Sequence, residues 1–121
     1  TPRDGASTGV QLVAFVSRGC APSLADLAVL DRVRREWGAR GVAVLALLAE
    51  QPDSGATRTL AARGYAGGVG FDDQALVARA MRQIGTPQYA VVEDGRTIRY
   101  LTRSAADAGA FLDALLGEVK P

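Results

Sequence analysis

The chain contains no histidine and a single cysteine, Cys20. Without an imidazole there can be no Ser-His-Asp triad, no Cys-His dyad and no histidine-bound zinc. One thiol allows neither an internal disulfide nor a thiolate metal cluster, so no metal and no cofactor is expected. No apolar run approaches the roughly 20 residues that a membrane span needs. The charges nearly cancel, with 14 basic against 13 acidic residues and a net charge of +1. That leaves no basic excess for a nucleic-acid partner or an anionic membrane.

What is present is an ordinary globular balance: 121 residues, 48% hydrophobic and 22% charged. Such a length fits one domain, which buries roughly two-thirds of its unfolded surface. Residues 1–9 are small and polar, with no signal-peptide hydrophobic segment. They read as a flexible remnant or linker ahead of a single domain over residues 10–121, with a signal or anchor upstream left open.

Val10–Ser17 (VQLVAFVS) is an apolar run bounded by glycines, the pattern of a strand buried on both faces. Beyond it Leu27, Leu30, Val33 and Trp37 recur at helical spacing. Pro22 suits the first turn of that helix, and Gly38 and Gly41 end it. Val42–Leu48 is a second buried strand, which makes a right-handed parallel crossover. A short helix is expected over residues 56–63, then an irregular glycine-rich stretch over 64–70 with room for one short strand near Val69 and Phe71. A further helix is expected over residues 73–84, with Leu76, Val77, Ala80, Met81 and Ile84 on its inward face. Gly85-Thr86-Pro87 breaks it. Tyr89–Glu93 and Thr97–Thr102 are strands joined by Asp94-Gly95, a tight-hairpin signal. A last helix spans residues 105–118, with Ala108, Phe111, Leu112, Leu115, Leu116 and Val119 inward. The sum is an α/β domain: a mixed four-stranded sheet, with the option of an extra short strand, and helices on both faces.

Cys20 follows a buried strand and opens a long helix. Unpaired N–H groups and roughly half a positive charge at a helix start favour a thiolate, and Arg18 stands two residues earlier. Such settings bring a cysteine pKa from about 8.5 into a range of about 3.5–7.5. A lone cysteine is otherwise usually a small buried hydrophobe; its placement here argues for a nucleophile.

The segment LVAFVSRGCAPSLADLAVLDRV resembles the active-site region of thioredoxin-like proteins of the TlpA/ResA/CcmG type, where a strand leads into a two-cysteine motif that opens a helix. IGTPQYAVVEDGRTIRYLTR resembles their second hallmark, a residue before a cis-proline followed by a hairpin. The FVS-x-x-C start is similar to the methylamine-utilisation protein MauD. The resemblance covers about 110 residues and implies a thioredoxin fold, with a TlpA-type helical insertion before the cis-proline strand. It also implies that Cys20 is the exposed nucleophile and Pro87 the cis-proline packed against it. The Thr86 backbone would pair with an extended substrate segment, and Gly19 and Pro22 would border the substrate. The implied activity is thiol–disulfide exchange on partner proteins bearing a disulfide or dithiol, outside the cytoplasm. A role in cytochrome c maturation, a membrane reductant upstream and a membrane anchor also follow from the resemblance alone.

The sequence departs from that pattern in two places. Ser23 stands where the resolving cysteine belongs, so the chain cannot complete a dithiol cycle. Either this serine replaces a cysteine, or the protein is a natural monothiol member. As a first-turn residue it would satisfy helix N–H groups and donate to the Cys20 sulfur. Gly19 replaces the usual aromatic and opens the surface beside the sulfur. Glu50 is the candidate for the family's buried acid. Two further functions are consistent with the residues: a redox-inactive peptide-binding module of the same fold, and a thiol peroxidase acting through a sulfenic acid on Cys20.

Overall fold

The computed structural model describes residues 8–82 and 85–117. Among these, five strands form one mixed sheet in the order β3-β2-β1-β4-β5, accompanied by four helices. In chain order these are β1 (Val10–Val16), α1 (Ala21–Gly38), β2 (Ala43–Leu48), α2 (Ser54–Ala62), β3 (Gly68–Phe71), α3 (Leu76–Ala80), β4 (Gln88–Glu93), β5 (Thr97–Thr102) and α4 (Ala105–Leu116). No helix among the described residues is long and apolar enough to cross a membrane. The short strand allowed for near Val69 and Phe71 is present as β3, parallel to β2 at the sheet edge. The reading of residues 1–7 as flexible lies outside the described residues. Thr8 and Gly9 are tied to the domain, through Thr8 to the Gly41 carbonyl (3.0 Å) and through the Gly9 carbonyl to the Asp94 amide (2.7 Å).

β1 occupies the centre of the sheet, parallel to β2 and antiparallel to β4. Its alternate residues supply both faces, which is why the run reads as apolar apart from the exposed Gln11. Leu12, Ala14 and Val16 join Leu27, Leu30, Leu60 and Leu112 in the larger core, beneath α1, α2 and α4. Val13 and Phe15 face the other way, into a smaller cluster with Leu47, Ala90, Val92 and Ala78 of α3. The hairpin turns through Asp94 (φ +56°) and Gly95 (φ +70°), closed by the Arg96 amide on the Glu93 carbonyl at 3.2 Å. Two successive left-handed residues match the right-handed twist of the flanking strands, so aspartate and glycine are well suited there.

The helix expected over residues 73–84 is corrected to five residues. Asp72 is buried, and its carboxylate accepts from the Val77 amide (3.1 Å) and the Ala78 amide (2.9 Å). That cap sets the start at Leu76, and left-handed Arg82 lies just past the end. The later start rotates the buried face. Ala78 points inward, whereas Leu76, Val77 and Ala80 are exposed. Ile84 and Val119 lie outside the described residues. The helix expected over residues 56–63 begins at Ser54 instead, because Asp53 caps it through the Gly55 amide at 2.9 Å. α1 ends at Gly38, as expected, and the chain leaves through a turn ending at Gly41 (φ +94°).

Two tyrosines lock the larger core. Tyr65 is buried and donates to the Gly68 carbonyl at 2.7 Å. Tyr89 is buried and donates to the Asp26 carboxylate, which also accepts the Ala105 amide at 2.9 Å and so joins α1, β4 and α4. Burial pushes the Tyr65 hydroxyl up to about 12. Burial and the neighbouring Asp26 carboxylate push Tyr89 higher still. An unfolded tyrosine loses its proton near pH 10. Above that pH the unfolded chain therefore holds fewer protons than the folded one, and stability falls as pH rises. Urea unfolding followed between about pH 8 and 11 should show a declining midpoint above pH 10, and Tyr65→Phe should flatten part of the decline.

Candidate active site

The β1–β4 register brings the site together. Phe15 pairs with Gln88, so the residues leaving β1 run beside those entering β4. Pro87 immediately precedes β4 and has no N–H to extend the ladder. The Thr86–Pro87 peptide is cis, and Pro87 is buried. On the opposite side the chain turns through Ser17-Arg18-Gly19, with the Cys20 amide on the Ser17 carbonyl at 3.2 Å. Cys20 is the N-cap residue of α1 in an extended conformation, and Pro22 sits in the first turn.

The thiol is half-buried and donates to the Thr86 carbonyl at 3.3 Å. Several groups favour its charged form: first the Thr86 hydroxyl, then the Ser23 amide and hydroxyl, and more weakly the Arg103 guanidinium. Partial burial, and the bond that the neutral thiol makes to the Thr86 carbonyl, act in the opposite sense. The balance holds the Cys20 pKa below the usual thiol value.

Ser23 is fully buried, and its hydroxyl accepts from the Ser17 amide at 3.3 Å. It therefore fastens the strand-to-helix turn rather than capping helix N–H groups. Pro22 and Pro87 border an open groove shared with Ala25, Asp26, Arg103 and Ser104. Thr86 lines a second pocket behind the loop, with Phe15, Ser17, Leu47, Glu50 and Asp72 among its walls. The groove measures about 370 Å³ and the pocket about 100 Å³. Ligand sites occupy roughly 300–1,000 Å³, so the groove is the one with room for a partner segment. Gly19 is exposed, with only the Ser17 hydroxyl near the position a Cβ would take, at 4.0 Å.

Arg18 does not serve Cys20 as expected. Its guanidinium is bound by Glu50 and by Asp53 (2.9 Å), which draws it to the start of α2. Glu50 is accordingly a partly buried ion-pair partner at the pocket wall. The cation that does act on the sulfur is Arg103, just beyond β5, which donates to the carbonyls of Thr86 (3.1 Å) and Pro87. Nothing in the local sequence marks it, since it lies 83 positions from Cys20. No group of three metal-ligating side chains occurs among the described residues.

This arrangement of sheet, helix start and cis-proline loop is the thioredoxin fold. Solved structures with that fold include a putative thiol:disulfide interchange protein DsbE from Chlorobium tepidum, which is 20% identical (TM-score 0.73, covering 90% of this chain and 79% of that one). Another is a putative protein disulfide isomerase from Bacteroides thetaiotaomicron, 15% identical (TM-score 0.76, 93% and 76% covered). A third is a secreted Mycobacterium tuberculosis disulfide oxidoreductase, 13% identical (TM-score 0.70, 89% and 83% covered). No protein-family model matches the chain, and no curated protein matches it in sequence.

The causes of the Cys20 shift make a test. Thr86→Val removes the hydroxyl that contributes most, and should raise the thiol titration midpoint, read from thiolate ultraviolet absorbance, by about half a pH unit or more. Ser23→Ala should raise it by less. It should also destabilise the fold by about 1 kcal/mol in urea unfolding, because the part-buried Ser17 amide loses its acceptor.

Proposed function

We propose that this chain is a monothiol exchange domain, in which Cys20 attacks a disulfide of a partner protein. The observation that carries the reading is the Cys20 thiol, at the start of an 18-residue helix, 3.3 Å from the Thr86 carbonyl beside cis Pro87. The thiolate displaces one sulfur of the partner disulfide and forms a Cys20–partner mixed disulfide; the displaced sulfur leaves as a thiolate and takes a proton from water. Ser23 offers a hydroxyl and cannot resolve that intermediate. Release therefore requires a thiolate from outside, either a second partner cysteine or a small thiol. It attacks the partner's sulfur in the mixed disulfide and returns Cys20 as the leaving thiolate.

The partner segment would lie in the groove between Pro22 and Pro87 and pair with the Thr86 backbone as an added strand. Pairing through the Thr86 carbonyl has to compete with Cys20 and Arg103, which both use that oxygen. Gly19 would leave the space beside the sulfur open to bulky partners. Disulfide substrates point to an oxidising compartment. The secreted mycobacterial protein of the same fold supports an extracytoplasmic location, where a membrane reductant and a role in cytochrome maturation are the finer proposals.

Incubated with a disulfide-bonded peptide, the wild-type chain should accumulate a covalent adduct on Cys20 that a small thiol releases, as read by intact mass. Ser23→Cys should convert this into catalytic insulin reduction with a dithiol reductant. If no adduct forms and a partner peptide still binds Cys20→Ala unchanged, the domain is a redox-inactive binding module instead.

A further inference from the structure

Arg103 is in direct contact with the loop that faces the sulfur. Its Nη2 donates to the Thr86 carbonyl at 3.1 Å, and its Nε donates to the Pro87 carbonyl. The Thr86 oxygen also accepts from Cys20 at 3.3 Å, so guanidinium and thiol share one acceptor. The guanidinium packs so closely over Gly85 that a Cβ there would stand 3.1 Å from Nη2. Arg103 also borders both open surfaces beside the loop, the groove with Pro22 and Asp26 and a second one with Arg82 and Leu101.

We propose that Arg103 is the positioning residue of the thiol centre, clamping the carbonyls of Thr86 and Pro87 and presenting its charge to Cys20 across the oxygen they share. The proposal rests on Cys20 being the working nucleophile. Its logic lies in what happens to that oxygen during exchange. While the thiol is neutral, its proton bridges sulfur and oxygen. Once the proton has gone to water, a thiolate faces the negative end of a carbonyl dipole, which is repulsive. An N–H from a permanent cation already on that oxygen reduces the repulsion. A lysine could supply the charge but not the two-carbonyl fork, because only the planar guanidinium holds two donors in fixed geometry.

Other charged groups surround the centre. Asp26 from α1 lies along the groove wall, bound to Tyr89 and Ala105. Glu50 beyond β2 and Asp72 beyond β3 line the pocket behind Thr86; Glu50 is paired with Arg18, and Asp72 caps α3. Each of these acids already has its own partner. The hydrogen bonds of Arg103 reach the loop itself.

The test is the pH dependence of Cys20 alkylation by iodoacetamide in wild type, Arg103→Met and Arg103→Lys, with Arg96→Met in the exposed hairpin turn as control. Arg103→Met should raise the midpoint by roughly 0.3 pH unit, less than Thr86→Val does, as expected for one charge held beyond the shared carbonyl in a water-rich setting. Arg103→Lys should recover part of that shift, and Arg96→Met should leave the wild-type curve unchanged. Added salt should move the wild-type midpoint towards that of Arg103→Met while leaving the methionine variant in place. A methionine curve that coincides with wild type overturns the proposal, as does a lysine variant indistinguishable from methionine. If Arg103→Met unfolds, a lysine midpoint above wild type together with a wild-type midpoint raised by salt supports the proposal, and a lysine curve and salt series that both leave the midpoint in place overturn it. A wild-type thiol that titrates like free cysteine would instead sink the exchange reading on which the proposal rests.

Discussion

The antiparallel pairing of β1 with β4 is the constraint from which the site follows. The strands meet with Phe15 opposite Gln88, so the chain leaving β1 and the chain arriving at β4 must pass one another at the same end of the sheet. Pro87 cannot continue the ladder, and the segment before it is released towards the start of α1. The helix in turn is held by Leu27, Leu30 and Trp37, all buried against the sheet. The thiol and the Thr86 carbonyl therefore meet because two long, well-buried elements end beside each other. A one-residue slip of that register would turn each β4 side chain to the opposite face.

A protein without histidine has few ways to ionise a thiol near neutral pH. Here the means are short-range: the Thr86 hydroxyl from the facing loop, the Ser23 amide and hydroxyl from the sulfur's own helix, and a guanidinium just beyond. These are hydrogen-bond donors fixed by backbone geometry, and they cost little reorganisation when the proton leaves. Ser23 is part of this set and not merely an absent cysteine. It is fully buried and bonded to the turn that carries Cys20.

Much of this architecture is legible in the sequence because its signals are local. β1 announces itself as a valine-rich, mostly apolar run, α1 by the spacing of Leu27, Leu30, Val33 and Trp37, and the hairpin by Asp94-Gly95. Cys20 stands out from its place after β1 at the start of α1, whereas Ser23, Thr86 and Pro87 are marked by the resemblance to thioredoxin-like proteins. What stays hidden depends on pairs distant along the chain or on side chains that compete with the backbone. Asp72 caps α3 and cuts an expected long helix to five residues. Arg18 is near Cys20 in sequence but is taken by Glu50 and Asp53. Arg103 and the Asp26–Tyr89–Ala105 junction involve partners tens of residues apart, beyond the reach of any periodicity.

The brevity of α3 leaves the two faces of the sheet unequally protected. Among the described residues three helices cover one face, while on the other the short α3 segment contributes Ala78, with Ala75 and Met81 beside it, to the cluster around Phe15 and Leu47. Sub-global opening follows the least buried contacts, so amide exchange should be fastest in α3 and slowest in β1 and β4. The easily opened side is the one behind Thr86, where the pocket holding Glu50 and Asp72 lies. Fluctuation there would admit water to the rear of the loop while the strands that set the thiol's position stayed shut.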